Sequence, residues 1–162
     1  MRTGIYGIAA TRPVTMPGGA LHLGVEGFHL ALAFRKPLHA VQKAVLHADT
    51  DGIFGAHGVW MNASERDWHD LQSMSQLKSA VASAAGFAET EGPLQGVHGD
   101  CNAKTLQLHG DVARQHPLYW TTCAWGILFA YSVEELVALM RDHDVPVAPD
   151  EEGAGLLSLI HI

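Results

Sequence analysis

Cysteine is scarce in this chain. Two residues, Cys101 and Cys123, in a length of 162 are too few for a disulfide framework, so a reducing, cytoplasmic setting is expected. Positive charge is sparse as well: ten Lys and Arg stand against seventeen Asp and Glu. They form no cluster, which disfavours a phosphate backbone as the main partner, so no nucleic acid is expected. The longest apolar run, residues 118–131, is too short for a bilayer and contains Thr121 and Thr122, so no membrane is expected either. Met1-Arg2-Thr3-Gly4 leads straight into a short apolar stretch without the layout of a secretion signal. Low-complexity tracts are missing too, and 48% hydrophobic residues with 17% charged suit one globular domain spanning residues 1–162.

Against these shortages stands an excess of histidine. The eleven imidazoles outnumber Lys and Arg combined, and three occur in the pairs His57-Gly58, His98-Gly99 and His109-Gly110. Imidazole binds borderline metals, moves protons near neutral pH and changes charge there. Protonating all eleven would carry the formal charge from −7 to +4. A net acidic chain meets a basic protein surface more readily than an acidic one.

Apolar spacing outlines the elements. Residues 4–10 read as a strand. Leu21, Leu23 and Val25 alternate with His22, Gly24 and Glu26, Glu26-Gly27 supplies a two-residue turn, and Phe28, Leu30, Leu32 and Phe34 alternate with His29, Ala31 and Ala33: a hairpin. Pro37 is placed to open a helix over residues 37–48, with Leu38, Val41 and Val45 as its apolar stripe. A long helix of roughly 30 Å is predicted from Ser64 to Gly86, with Trp68, Leu71, Met74, Leu77, Val81 and Ala84 at helical spacing. Thr105 to His109 reads as a strand, and residues 118–131 as one bent strand or two short ones hinged at Gly126. Ser132 and Glu135 make a capping box for a helix to about His143. The tail from Leu156 to Ile162 suits a buried strand.

Strands interleaved with about three helices predict an α+β fold: a single domain with a mixed or antiparallel sheet and the helices packed on one of its faces. The strand, helix, strand order between Phe28 and Met61, and again between Leu118 and Ile162, leaves room for pseudo-duplicated β-α-β units. In element order alone it is similar to ferredoxin-like domains and to the paired modules of vicinal-oxygen-chelate proteins. No metal-ligand motif accompanies that likeness, so it implies no function.

Two groups of residues carry candidate chemistry. His98-Gly99-Asp100 is echoed eleven residues later by His109-Gly110-Asp111. Nitrogen and oxygen donors of this kind suit zinc, manganese or iron, and a hairpin between the triplets would bring them to one pocket. Gly-Asp is equally ordinary turn chemistry. Cys101, three residues after His98, is a candidate nucleophile beside an imidazole and the Asp100 carboxylate. In the hairpin, a turn at Glu26-Gly27 sets Gly24 opposite His29 and puts His22 diagonal to it on the same face, within reach of a shared metal or ligand.

Two functions follow. One is a histidine-rich protein that binds a divalent metal or a small polar ligand, with metal-assisted hydrolysis as the chemistry such a metal would support. Here His98, Asp100 and Cys101 are the catalytic candidates, and His98, Asp100, His109, Asp111, His22 and His29 the metal ligands. The alternative is a non-enzymatic acidic interaction domain of the inhibitor, immunity, antitoxin or regulatory type. The sequence leaves open whether the protein is an enzyme and what its oligomeric state is.

Overall fold

Period-two alternation organises most of the chain. The computed structural model describes residues 4–16, 19–35, 44–58, 60–62, 68–69, 74–91, 94–110 and 118–148. Strands β1 (Gly4–Ala10), β2 (Leu21–Val25), β3 (Phe28–Arg35), β11 (Tyr119–Cys123) and β12 (Gly126–Ala130) form a five-stranded sheet in the order β11-β12-β1-β3-β2. A four-stranded sheet joins β4 (Ala44–Ala48), β5 (Gly52–Gly58), β9 (Leu94–Asp100) and β10 (Thr105–His109) in the order β10-β9-β5-β4. Short strands β6 (Trp60–Asn62), β7 (Trp68–His69) and β8 (Thr90–Glu91) make a third, small sheet. The recorded pairings in all three sheets are antiparallel.

The alternation sorts apolar side chains into three layers. Odd-numbered residues of β1 and β12 and even-numbered residues of β3, among them Ile5, Ala9, Leu30, Leu32 and Phe129, meet Ile53, Val97 and Cys101 between the two large sheets. The opposite face of the five-stranded sheet, with Ile8, Ala31, Ala33, Leu128 and Ala130, is covered by Leu136 and Leu139 of helix α3 (Val133–Asp142). The outer face of the four-stranded sheet, with Phe54, Ala56 and Leu94, is covered by Leu77, Ala80 and Val81 of α1 (Met74–Val81) and Phe87 of α2 (Ala84–Ala88). The result is a helix, sheet, sheet, helix sandwich. Each fully buried Leu, Ile or Phe contributes about 1.5–3 kcal/mol over leaving it exposed. No helix among the described residues is long and apolar enough to cross a membrane.

The expected α+β class holds, with a larger share of sheet than three helices on one sheet would give. Helices cover two faces rather than one, and no pseudo-duplication is seen: between Phe28 and Met61 the described residues are all strand or turn. Three expectations need correction or fall outside the description. Residues 44–48 of the expected helix 37–48 are strand β4, because Leu46 faces the inter-sheet core while Val45 and His47 face outward. The long helix from Ser64 to Gly86 is broken into β7, α1 and α2, with Ser83 capping α2 through its hydroxyl to Gly86 N–H. The expected strand at Leu156 to Ile162 lies outside the described residues.

Candidate functional site

The β2–β3 hairpin turns at Glu26 and Gly27, with Gly27 at φ 75°, a backbone conformation suited to glycine. Val25 pairs with Phe28, Gly24 with His29 and His22 with Ala31, so His22 and His29 are diagonal neighbours on one face. That face is the outer one, shared with Ala31 and Ala33 and away from the inter-sheet core. His22 is exposed and His29 half-buried. The imidazole of His29 leans over β2: a Cβ on Gly24 would stand 2.3 Å from its Nδ1. The missing side chain at Gly24 therefore makes the space that the ring fills. Both imidazoles line an open groove of about 390 Å³ together with Pro13, Val14 and Thr15 and with Leu23, Gly24 and Leu30 of the hairpin. This volume lies within the range of small-molecule sites.

The two His-Gly-Asp triplets fall on a second hairpin, β9–β10. Gln107 pairs with His98 and His109 with Gly96, so both imidazoles face outward, toward α1 and α2. His109 is committed to packing: its Nε2–H donates to the Val81 carbonyl at 3.0 Å, and its ring stacks on Phe87 at 4.5 Å and 14°. Burial pushes its pKa down; the Val81 hydrogen bond opposes this and the neighbouring His98 adds to it. His98 is pushed down by burial too, with Asp100 opposing, Lys78 adding and Asp49 opposing. Burial disfavours the charged imidazolium and here outweighs the carboxylates that favour it.

Asp100 is engaged in its own turn, where one carboxylate oxygen accepts from Asn102 N–H and Ala103 N–H, both at 2.8 Å. Asp49 does the same for the β4–β5 turn, accepting from Asp51 N–H and Gly52 N–H at 3.0 Å while pairing with Lys78. The Lys78 ammonium and those backbone donors hold its carboxyl at about 2. Cys101 is 2% exposed in the inter-sheet core. Burial, helped by Asp100, pushes its thiol up, and the thiol faces away from His98. Asp111 lies outside the described residues. The fold therefore brings His98 and His109 to one face, engages Asp100 in a turn and does not join Cys101 to either imidazole. Among the described residues no group of three or more His, Cys, Asp or Glu is gathered closely enough to hold a metal ion.

A polar cluster sits between the large sheets, where apolar packing would be expected. His57 and Gln95, both 0% exposed, are register partners on β5 and β9, and His57 Nδ1 lies 3.1 Å from Gln95 Oε1. The His57 ring is tilted against Phe34 at 5.3 Å. Tyr131, close by, has its hydroxyl 2.9 Å from the His109 carbonyl and 3.3 Å from that of Gly96; burial raises its pKa. Gln95 carries no signal in the sequence. Only the full burial of a strand whose sequence is GIFGAHG reveals that His57 faces inward. No known family model matches this chain, and no curated protein or solved structure matches it.

Proposed function

We propose that the protein binds a divalent transition metal, or a small polar ligand, through His22 and His29 in the groove on the outer face of the β2–β3 hairpin. One observation carries this reading: two imidazoles from adjacent strands line the same groove, and a glycine leaves room for one of the rings. With Nδ1 of His29 against Gly24, Nε2 is the ring nitrogen farther from the strand and the better placed to donate its lone pair. Zinc, manganese and iron all accept imidazole nitrogen. Water on such a metal would ionise near neutral pH, which makes hydrolysis the reaction class the site would support. The groove favours this pair over His98 and His109, since His109 already spends a ring nitrogen on Val81.

Zinc titration of untagged protein, followed calorimetrically, tests the reading. Saturable uptake that is lost in His22→Ala and weakened in His29→Gln supports it. Equal uptake by wild type and both variants refutes it.

A second reading, an acidic interaction domain that meets a basic protein surface, is favoured by Trp120. This residue is 61% exposed on β11, an edge strand of the five-stranded sheet. Large aromatic side chains of this kind commonly anchor interfaces. Loss of a captured partner on Trp120→Ala, with His22→Ala neutral, would select this reading over the first.

A further inference from the structure

We propose that a metal held by His22 and His29 is completed by the same pair of histidines from a second copy of this chain, joined along strand β2. The inference rests on the metal-binding reading above and adds the source of the remaining ligands. Strand β2 is the terminal strand of its sheet, and edge strands present unpaired backbone groups to another chain. His22 stands on β2 itself. His29 belongs to the next strand inward, but its ring lies over Gly24 of β2, so both imidazoles stand over the strand that is terminal among the described residues.

The groove offers such a metal little else. Besides the imidazoles it is lined by Pro13, Val14, Thr15, Leu23, Gly24 and Leu30, and no third His, Cys, Asp or Glu among the described residues joins the pair in a metal-holding group. Zinc in a structural site takes four protein ligands in a tetrahedron and keeps no position for water, so a site completed this way ties two chains together and does not hydrolyse. A two-fold axis beside β2 supplies four imidazole nitrogens from two identical half-sites, in the self-complementary manner of a symmetric dimer. Net charge opposes the pairing, since each copy carries a formal −7, and a dication between the copies offsets part of that repulsion, so the dimer should need the metal.

Sedimentation velocity of the untagged full chain with and without zinc chloride, with native mass spectrometry for stoichiometry, tests the inference. The expected result is a monomer that becomes a dimer holding one zinc per two chains, reverts on adding chelator, and is lost in both His22→Ala and His29→Gln. His22 is exposed, so His22→Ala keeps the fold, which circular dichroism verifies. One zinc per chain on a monomer would overturn the shared site and leave the groove as a metal site. A dimer without zinc, or a zinc-driven dimer indifferent to both variants, would overturn the inference as well. No zinc uptake at all would remove this inference and the metal reading together.

Discussion

The ring of His29 occupies the space that a side chain at position 24 would fill: a Cβ on Gly24 would come within 2.3 Å of Nδ1 and 3.1 Å of Cε1. The pairing of Gly24 with His29 across the hairpin thus fixes where the imidazole lies. Gly24→Ala should swing the ring off the strand and weaken zinc binding by about tenfold or more, the equivalent of roughly 1.4 kcal/mol. Because what must move is one half-buried side chain and not backbone, the unfolding midpoint in urea should change little. Unchanged zinc affinity in this variant would show that the ring position does not matter.

The His57 and Gln95 pair tests the inter-sheet layer. Removing one partner of a buried hydrogen bond leaves the other short of an acceptor or donor, which costs about 1–3 kcal/mol. Gln95→Leu keeps similar volume but deletes the Oε1 acceptor 3.1 Å from His57 Nδ1. Urea unfolding should show a loss in that range. A neutral or stabilising substitution would mean that the surrounding apolar layer tolerates His57 without this bond.

Stability should depend on pH in two separate windows. His98 and His109 both lie below the ordinary histidine value of 6.5, chiefly through burial. The unfolded chain therefore takes up protons near that value while the folded chain still resists them. Stability from these groups is complete above about pH 6.5 and is lost as the pH falls from there toward the folded values. Asp49, held at about 2 against an ordinary 3.8, contributes stability above its ordinary value that is lost as the pH falls through about 2. The melting temperature should thus decline between about pH 7 and pH 5. His109→Phe, which keeps an aromatic ring against Phe87, should flatten that decline. A melting temperature constant over this interval would contradict the burial argument.

Much of the fold was legible in the sequence wherever one face of an element is buried and the other is not. Residues 4–10, the β2–β3 register with its turn at Glu26 and Gly27, β10, the break before Gly126, and α3 with Ser132 capping Glu135 N–H at 3.1 Å all follow from alternation or capping chemistry. The strands buried on both faces were hidden. Every residue of β5 is buried, so no polar face marks its period. Strand β9 contains Gly96 and Gly99, residues that weaken strand propensity but here admit close neighbours: a Cβ on Gly99 would stand 2.1 Å from a Leu30 methyl across the sheets, and one on Gly96 2.6 Å from Val81. Val45, the last residue of an apolar stripe at helical spacing, falls in β4, an ambiguity inherent in short apolar segments.

The candidate site divided along the same line. The diagonal placement of His22 and His29 could be read from hairpin register, because a two-residue turn leaves one pairing. The hairpin joining the two His-Gly-Asp triplets could be anticipated too. What could not be read was the packing that engages their members: the Val81 carbonyl and Phe87 ring that hold His109 come from α1 and α2, which are distant in sequence.

Long-range proton–nitrogen correlation spectra of the histidine side chains during a zinc titration test the central claim most directly, because each imidazole reports for itself. With zinc bound in the hairpin groove, the ring nitrogens of His22 and His29 shift together and saturate while those of His57 and His109 stay in place. Shifts confined to His98 and His109, or none at His22 and His29 with zinc in millimolar excess, would contradict it.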